Sequence, residues 1–243
     1  MNAISVSQLN KSLPGNFVGK NQVLFDVTFN VPEGLCCGFV GNNGAGKTTS
    51  LKCVLEFLTP DSGEILFFGE KLKVSSRNRI GYLPERPYLY EFLSVWDFLK
   101  FHWNLTFDSS KGFSDKAEEV LKLVGLFENR DKVMRKFSKG MLQRAGLAQA
   151  LIHNPDLLIL DEPMSGLDPD GRLMVKNILK ELKRQGKTLF FSSHLLEDVE
   201  ELCEHLVVVH HGKILHSGSL QSFQNQYQSL EQAFAAVKAK VLS

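Results

Sequence analysis

Residues Gly41-Asn42-Asn43-Gly44-Ala45-Gly46-Lys47-Thr48 follow the pattern G-x-x-x-x-G-K-[ST] at every fixed position. The chemistry this spacing serves is phosphate binding. Glycines let the backbone curl until successive N–H groups point inward at phosphate oxygens. A helix starting just after them adds the positive end of its dipole. Lys47 then supplies a point charge for β- and γ-phosphates, and the Thr48 hydroxyl is placed to ligate Mg²⁺. A second chemical group ends the apolar run Leu157-Leu158-Ile159-Leu160, as Asp161-Glu162. Two carboxylates on a buried strand are costly unless they emerge at its C-terminal edge, where open α/β sheets bind ligands. There Asp161 would hold Mg²⁺ through a water, and Glu162 could take a proton from a water attacking a γ-phosphate.

These groups need elements to position them. Val23 to Phe29 is β-branched and aromatic, and Leu35 to Val40 is a short apolar run suited to a strand buried on both faces,. Leu51, Val54, Leu55 and Leu58 recur at helical spacing after the glycine loop, with Thr59 to Gly63 as the stop,. Another strand is expected between Gly63 and Gly69. From about Tyr82 to Leu151 the pattern turns helical, at Trp96–Trp103, Asp115–Val124 and Met141–Ile152. Strands return at Leu157–Leu160, Thr188–Ser192 and Leu206–Val209. Between them fall a helix with the stripe Val175, Ile178, Leu179 and Leu182, closed by Gly186, and a second helix over Leu195–Cys203,. Such alternation predicts an α/β fold: a mostly parallel sheet core preceded by a β-rich N-terminal part, with a helical subdomain inserted at about residues 82–151. Residues 221–243 are expected to form a peripheral helix. His210 and His211 lead into a Gly212-Lys213 turn and are expected to be solvated.

Composition narrows the function classes. Hydrophobic residues make up 43% and charged residues 23%, an ordinary globular balance that excludes general disorder,. The 28 Lys+Arg against 27 Asp+Glu give a net charge of +1, so no global attraction to nucleic acid is built in,. The N-terminus lacks the basic start and apolar stretch of a signal peptide, and no run reaches the ~18 apolar residues of a membrane helix. A cytoplasmic location is expected. The four cysteines, Cys36, Cys37, Cys53 and Cys203, lack metal-ligand spacing and are expected to be small buried apolar side chains,.

Six elements then match one family in order. They are the phosphate loop, Glu85 in Gly81-Tyr82-Leu83-Pro84-Glu85, Phe137-Ser138-Lys139-Gly140-Met141, Asp161-Glu162, Ser165-Gly166-Leu167-Asp168, and His194 after Ser192-Ser193. Over about residues 4–220 the chain resembles the nucleotide-binding subunit of an ABC transporter, most like the branch serving bacterial type-2 export permeases. The resemblance implies a P-loop NTPase fold with an N-terminal antiparallel β part. It implies ATP and Mg²⁺ as cofactors, with ATP held by Gly41 to Thr48 and by Thr49. Lys47, Glu162 and His194 would be catalytic, and Thr48, Glu85 and Asp161 would hold the metal. Ser138 and Gly140 would contact the γ-phosphate of ATP held by a second copy, in a head-to-tail dimer. The other implied partners are transmembrane permease subunits, which would keep the protein peripheral on the cytoplasmic face of the cell membrane.

The chain departs from the family pattern in places. Phe137, Lys139 and Met141 stand where Leu, Gly and Gln are usual, and Lys139 either offers a cation to the phosphate or points to water. Glu85 stands where glutamine is usual; it still offers an oxygen to Mg²⁺ but adds negative charge. The place of the adenine-stacking aromatic falls at Leu13, with Phe17 nearby as the candidate. Tyr88, Tyr90 and Phe92 follow the Glu85 loop and are expected to line an exposed apolar groove for the permease. The competing readings are an ABC-type ATPase without a transport role and a regulatory switch without fast turnover. No coiled-coil insertion, zinc cysteines or second cassette supports the first, and Glu162 with His194 argues against the second.

Overall fold

The computed structural model describes residues 1–14, 19–225 and 227–242. Along the chain run β1 (Asn2–Pro14), β2 (Lys20–Pro32), β3 (Cys36–Val40), α1 (Lys47–Val54), β4 (Ser62–Phe67) and β5 (Ile80–Leu83). Then come α2 (Val95–Thr106), α3 (Phe113–Leu123), α4 (Lys139–Leu151), β6 (Leu157–Leu160), α5 (Pro169–Arg184) and β7 (Thr188–Ser193). The last elements are α6 (Leu196–Leu202), β8 (His205–His210), β9 (Lys213–Ser219), α7 (Leu220–Gln224) and α8 (Leu230–Leu242). Among the described residues no helix is long and apolar enough to cross a membrane.

Two sheets result. β2, β1 and β4 form an antiparallel three-stranded sheet, and six strands in the order β5-β6-β7-β3-β8-β9 form the other, antiparallel only at β9. This is the P-loop NTPase architecture, with a mostly parallel core and an antiparallel N-terminal part. β3, β6 and β7 are buried at every residue because both faces of their sheet are covered,. Leu157 and Ile159 face the core shared with the antiparallel sheet, while Leu158 and Leu160 face the core shared with the helices. The first core is built on Phe29, Phe39 and Phe190, whose ring centroids lie 5.4 to 5.6 Å apart,. All four cysteines are buried and free, as their composition suggests.

Three local outcomes differ from expectation. The helix after the glycine loop starts earlier and stops at Val54 rather than reaching Leu58. Glu56 adopts a left-handed φ of 59°, its N–H bonds to the Cys53 carbonyl, and the Phe57 N–H bonds to the Lys52 carbonyl. That pairing ends a helix whatever apolar residues follow. β5 runs through Tyr82, and the helices begin only at Val95. His210 is buried rather than solvated, being the last residue of a strand inside the sheet. Burial holds its imidazole below the ordinary value, and His211 and Lys238 act in the same direction,. His211 is exposed. The C-terminal residues form α7 and α8, and Leu230 and Ala233 join the helical core.

Candidate functional site

Parallel strands deliver their C-terminal ends to one edge, and here four neighbours do so side by side. β3 leads into Gly41, β5 into Glu85, β6 into Asp161 and Glu162, and β7 into His194. The loop after β3 is tight. A side chain at Gly41 would collide with the Val209 carbonyl, and Gly44 and Gly46 hold left-handed φ values of 78° and 105°,. Gly46 caps α1 with no side-chain acceptor, so first-turn N–H groups stay available at the loop,. The loop is braced from far along the chain. Gly212, in the β8–β9 turn, donates its N–H to the Ala45 carbonyl (2.9 Å) and accepts from the Phe25 N–H (2.8 Å). Only a glycine fits there, since a Cβ would overlap the Val23 carbonyl.

Lys47 is buried, and its ammonium donates to the Gly41 carbonyl (2.8 Å). It also lies 3.3 Å from Glu162 Oε1. Glu162 itself has a left-handed φ of 48°, which turns its carboxylate back toward the loop. Its Oε2 lies 2.8 Å from His194 Nδ1 and its N–H donates to Ser192 Oγ (2.8 Å). The same Ser192 hydroxyl donates to Asp161 Oδ1 (2.6 Å). The Asp161 carboxylate is itself buried. Burial pushes the Asp161 carboxyl above its ordinary value; the Ser192 and Thr48 hydroxyls oppose this, while Glu162 and Glu85 add to it,.

An open pocket of about 420 Å³ lies against these groups. Of the residues expected to act together, Asn42, Asn43, Gly44, Gly46, Lys47, Thr48, Thr49, Glu85, Glu162 and His194 line it. Gly41 and Ala45 shape the loop from behind, and Asp161 is buried behind the pocket, bonded to Ser192. Ser138 and Gly140 lie elsewhere, in a separate pocket of about 440 Å³ with Lys139, Gly166 and Asp168. Ser138 caps α4 by accepting from the Met141 N–H (3.3 Å), as its residue type suggests,. The Lys139 ammonium lies over Gly166, in the space a side chain there would fill. Phe17 lies outside the described residues.

Some functional contacts were not read from the sequence. Ser192 bridges Asp161 and Glu162, a role invisible in a serine at the end of a strand. Val23 and Ser165 line the pocket. Buried Gln143 donates to the Pro163 carbonyl (3.0 Å), joining α4 to the Glu162 loop. The aromatic stretch divides as its loop and helix parts suggest: Tyr88, Tyr90 and Phe92 are 93%, 47% and 70% exposed, whereas Phe98 and Trp103 are buried. Tyr90 packs edge-on against Phe98 and Phe101, at centroid distances of 6.2 and 5.6 Å.

A family model described as ABC transporter matches residues 24–165. The chain is 45% identical over 203 residues to an ABC transporter ATP-binding protein of Nostoc, covering 81% of this chain and 61% of that protein. It is 40% identical over 201 residues to the bacitracin transport ATP-binding protein of Bacillus licheniformis, covering 81% and 65%. The chain thus spans about two thirds or less of the length of these relatives. A solved structure described as the ATP binding subunit of an ABC transporter superposes with a TM-score of 0.84 at 29% identity, covering 97% of this chain and 99% of that one.

Proposed function

The chain belongs to the ABC transporter family, and on that premise we propose that it is the ATP-hydrolysing motor subunit of a transporter whose membrane pore is a separate permease. The observation that carries this reading is Glu162, held between the Lys47 ammonium and the His194 imidazole on the floor of the phosphate pocket. In this reading the loop N–H groups and Lys47 bind the β- and γ-phosphates. Glu162 accepts a proton as a water attacks the γ-phosphorus and the bond to the ADP oxygen breaks. His194 holds the Glu162 carboxylate in line through its Nδ1 contact. Thr48, Asp161 and Glu85 offer oxygen ligands only, the donor type Mg²⁺ takes, and their negative charge suits a divalent cation. When bound, Mg²⁺ neutralises phosphate charge.

Two copies would stack head to tail, Ser138 and Gly140 of each reaching the γ-phosphate in the other. Ser138 caps the start of α4, so the first-turn N–H groups of that helix and the Gly140 backbone would face the phosphate beside it,. The ATPase unit is proposed to span residues 1–220, with the helical part inserted at about 82–151 and a peripheral segment beyond 220. Export is the proposed direction, from the pairing of Gly81–Glu85 with Phe137–Met141. The protein would then work on the cytoplasmic face of the membrane. Co-reconstitution with a permease, sought first in the neighbouring reading frames, tests the whole reading: ATP-driven outward transport supports it, and ATP hydrolysis that no permease alters in rate overturns the transport role.

Two predictions belong here. Glu85→Gln is expected to hydrolyse ATP with an unchanged Mg²⁺ requirement, and Glu85→Ala to need more Mg²⁺ for half-maximal rate. Titration of the rate with Mg²⁺ checks both, and a normal requirement in Glu85→Ala removes Glu85 from the metal site. The permease is proposed to dock on Tyr88, Tyr90 and Phe92, exposed aromatics of the kind that act as binding anchors,. Tyr88→Ser with Tyr90→Ser should keep basal ATPase activity and lose co-purification with the permease. Retained binding would place the docking surface elsewhere.

A further inference from the structure

A third carboxylate lies behind the Glu162–His194 pair. Asp198 is on α6, four residues past His194, and is fully buried. A carboxylate withdrawn from water needs opposite charge and hydrogen bonds to remain ionised. Its Oδ1 has both: Arg172 Nη2 donates to it at 2.8 Å, and Lys176 Nζ also lies at 2.8 Å. The two cations project from one face of α5, one turn apart. Its Oδ2 is buried with no hydrogen-bond partner among the described residues. Asp198 also borders a small enclosed space of about 10 Å³, shared with Glu162, Ser193 and His194. That is about the room one water centre occupies.

Chain order gives this contact its leverage. α5 is reached from β6 through the connection that carries Asp161 and Glu162, and α6 from β7 through the connection that carries His194. Arg172 and Lys176 lie in the first two turns of α5, and Asp198 in the first turn of α6. The ion pair therefore ties together the far ends of the two connections whose near ends hold the Glu162–His194 contact. Lys176 extends the network outward to Glu201 (2.6 Å), which also takes Lys180 (2.6 Å). Those outer pairs are solvated and add little. Burial opposes the Lys176 charge, but Asp198 and Glu201 together hold its ammonium above the ordinary lysine value.

We propose that Asp198 is a positioning residue for hydrolysis: through Arg172 and Lys176 it fixes the spacing of the two connections so that His194 meets Glu162, and its second oxygen holds one water in the space behind them. This rests on the reading of Glu162 as the proton acceptor. The test is steady-state ATP hydrolysis by the full chain as Asp198→Asn, Glu201→Gln and Glu162→Gln, with Asp198→Asn also placed in the Glu162→Gln background. Asp198→Asn should lower kcat by on the order of tenfold or more while KM for ATP stays within about twofold. Glu201→Gln should match the parent. In the Glu162→Gln background the added change should cost nothing further, because the residue acts through Glu162. A parental kcat for Asp198→Asn beside an inactive Glu162→Gln overturns the proposal and leaves the base assignment standing. An active Glu162→Gln overturns the base assignment and the proposal with it. If Asp198→Asn does not fold, Arg172→Gln takes its place, with a smaller loss confined to kcat expected and an unchanged kcat overturning the proposal.

Discussion

Glu162→Gln is expected to bind ATP and to hydrolyse it at least about a hundredfold more slowly, the loss that follows removal of a positioned general base. The amide keeps the size and the left-handed backbone of Glu162 but accepts no proton. ATP affinity should not fall. In the structure Glu162 Oε1 lies 3.3 Å from Lys47 Nζ, so an entering phosphate competes with the carboxylate for the ammonium. Glutamine weakens that competition. If the proposed head-to-tail dimer forms, bound ATP that is not hydrolysed would hold the two copies together, so size-exclusion chromatography with ATP should show a shift from monomer to dimer. Turnover at the parental rate would remove Glu162 from the base position.

Lys47→Ala should fail one step earlier, at binding. Its ammonium is buried and donates to Gly41, so it is held in place before a phosphate arrives. Hydrogen bonds to charged groups contribute about 1.5–3 kcal/mol, which corresponds to roughly ten- to a hundredfold in affinity. The substitution also strips Glu162 of its cation, so the pocket gains uncompensated negative charge facing an anionic ligand. Calorimetric titration with ATP checks this, and an unchanged affinity would contradict it. The two variants separate cleanly: one binds without turnover, the other barely binds.

Which parts of this site could be read from the sequence follows from how local each signal is. The phosphate loop was legible because its glycines, lysine and threonine act through adjacent backbone. Asp161-Glu162 was legible because two carboxylates end the apolar run Leu157–Leu160 in a chain that also carries the phosphate loop; alone they read equally well as charges at a helix N-terminus. The buried strands β3 and β6 announced themselves as short apolar runs without polar alternation, and β7 as Thr188–Ser192 around Leu189, Phe190 and Phe191. The helix end at Val54 did not, because Glu56 takes a left-handed turn usually left to glycine while Leu55 and Leu58 prolong the apolar stripe. Ser192 and Asp198 were also silent. A serine at a strand end and an acidic residue in an acidic helix mean something only beside residues brought in from other strands and helices. His210 misled for a related reason: its hairpin context suggested water, and packing against distant elements decided its burial.

Gly212 has a consequence for how the protein is made. The loop from Gly41 to Thr48 leaves the ribosome well before its brace, since Gly212 follows it by most of the length of this fold. Until the β8–β9 turn has been synthesised, the Ala45 carbonyl lacks its Gly212 partner and Gly41 lacks the wall formed by Val209. Domains generally fold as units during synthesis, with N-terminal parts waiting on later ones when their contacts are long-range. A nascent chain stalled before β8 therefore carries the whole phosphate-binding motif without a rigid cradle. ATP can act as a folding ligand only after the last two strands have joined the sheet.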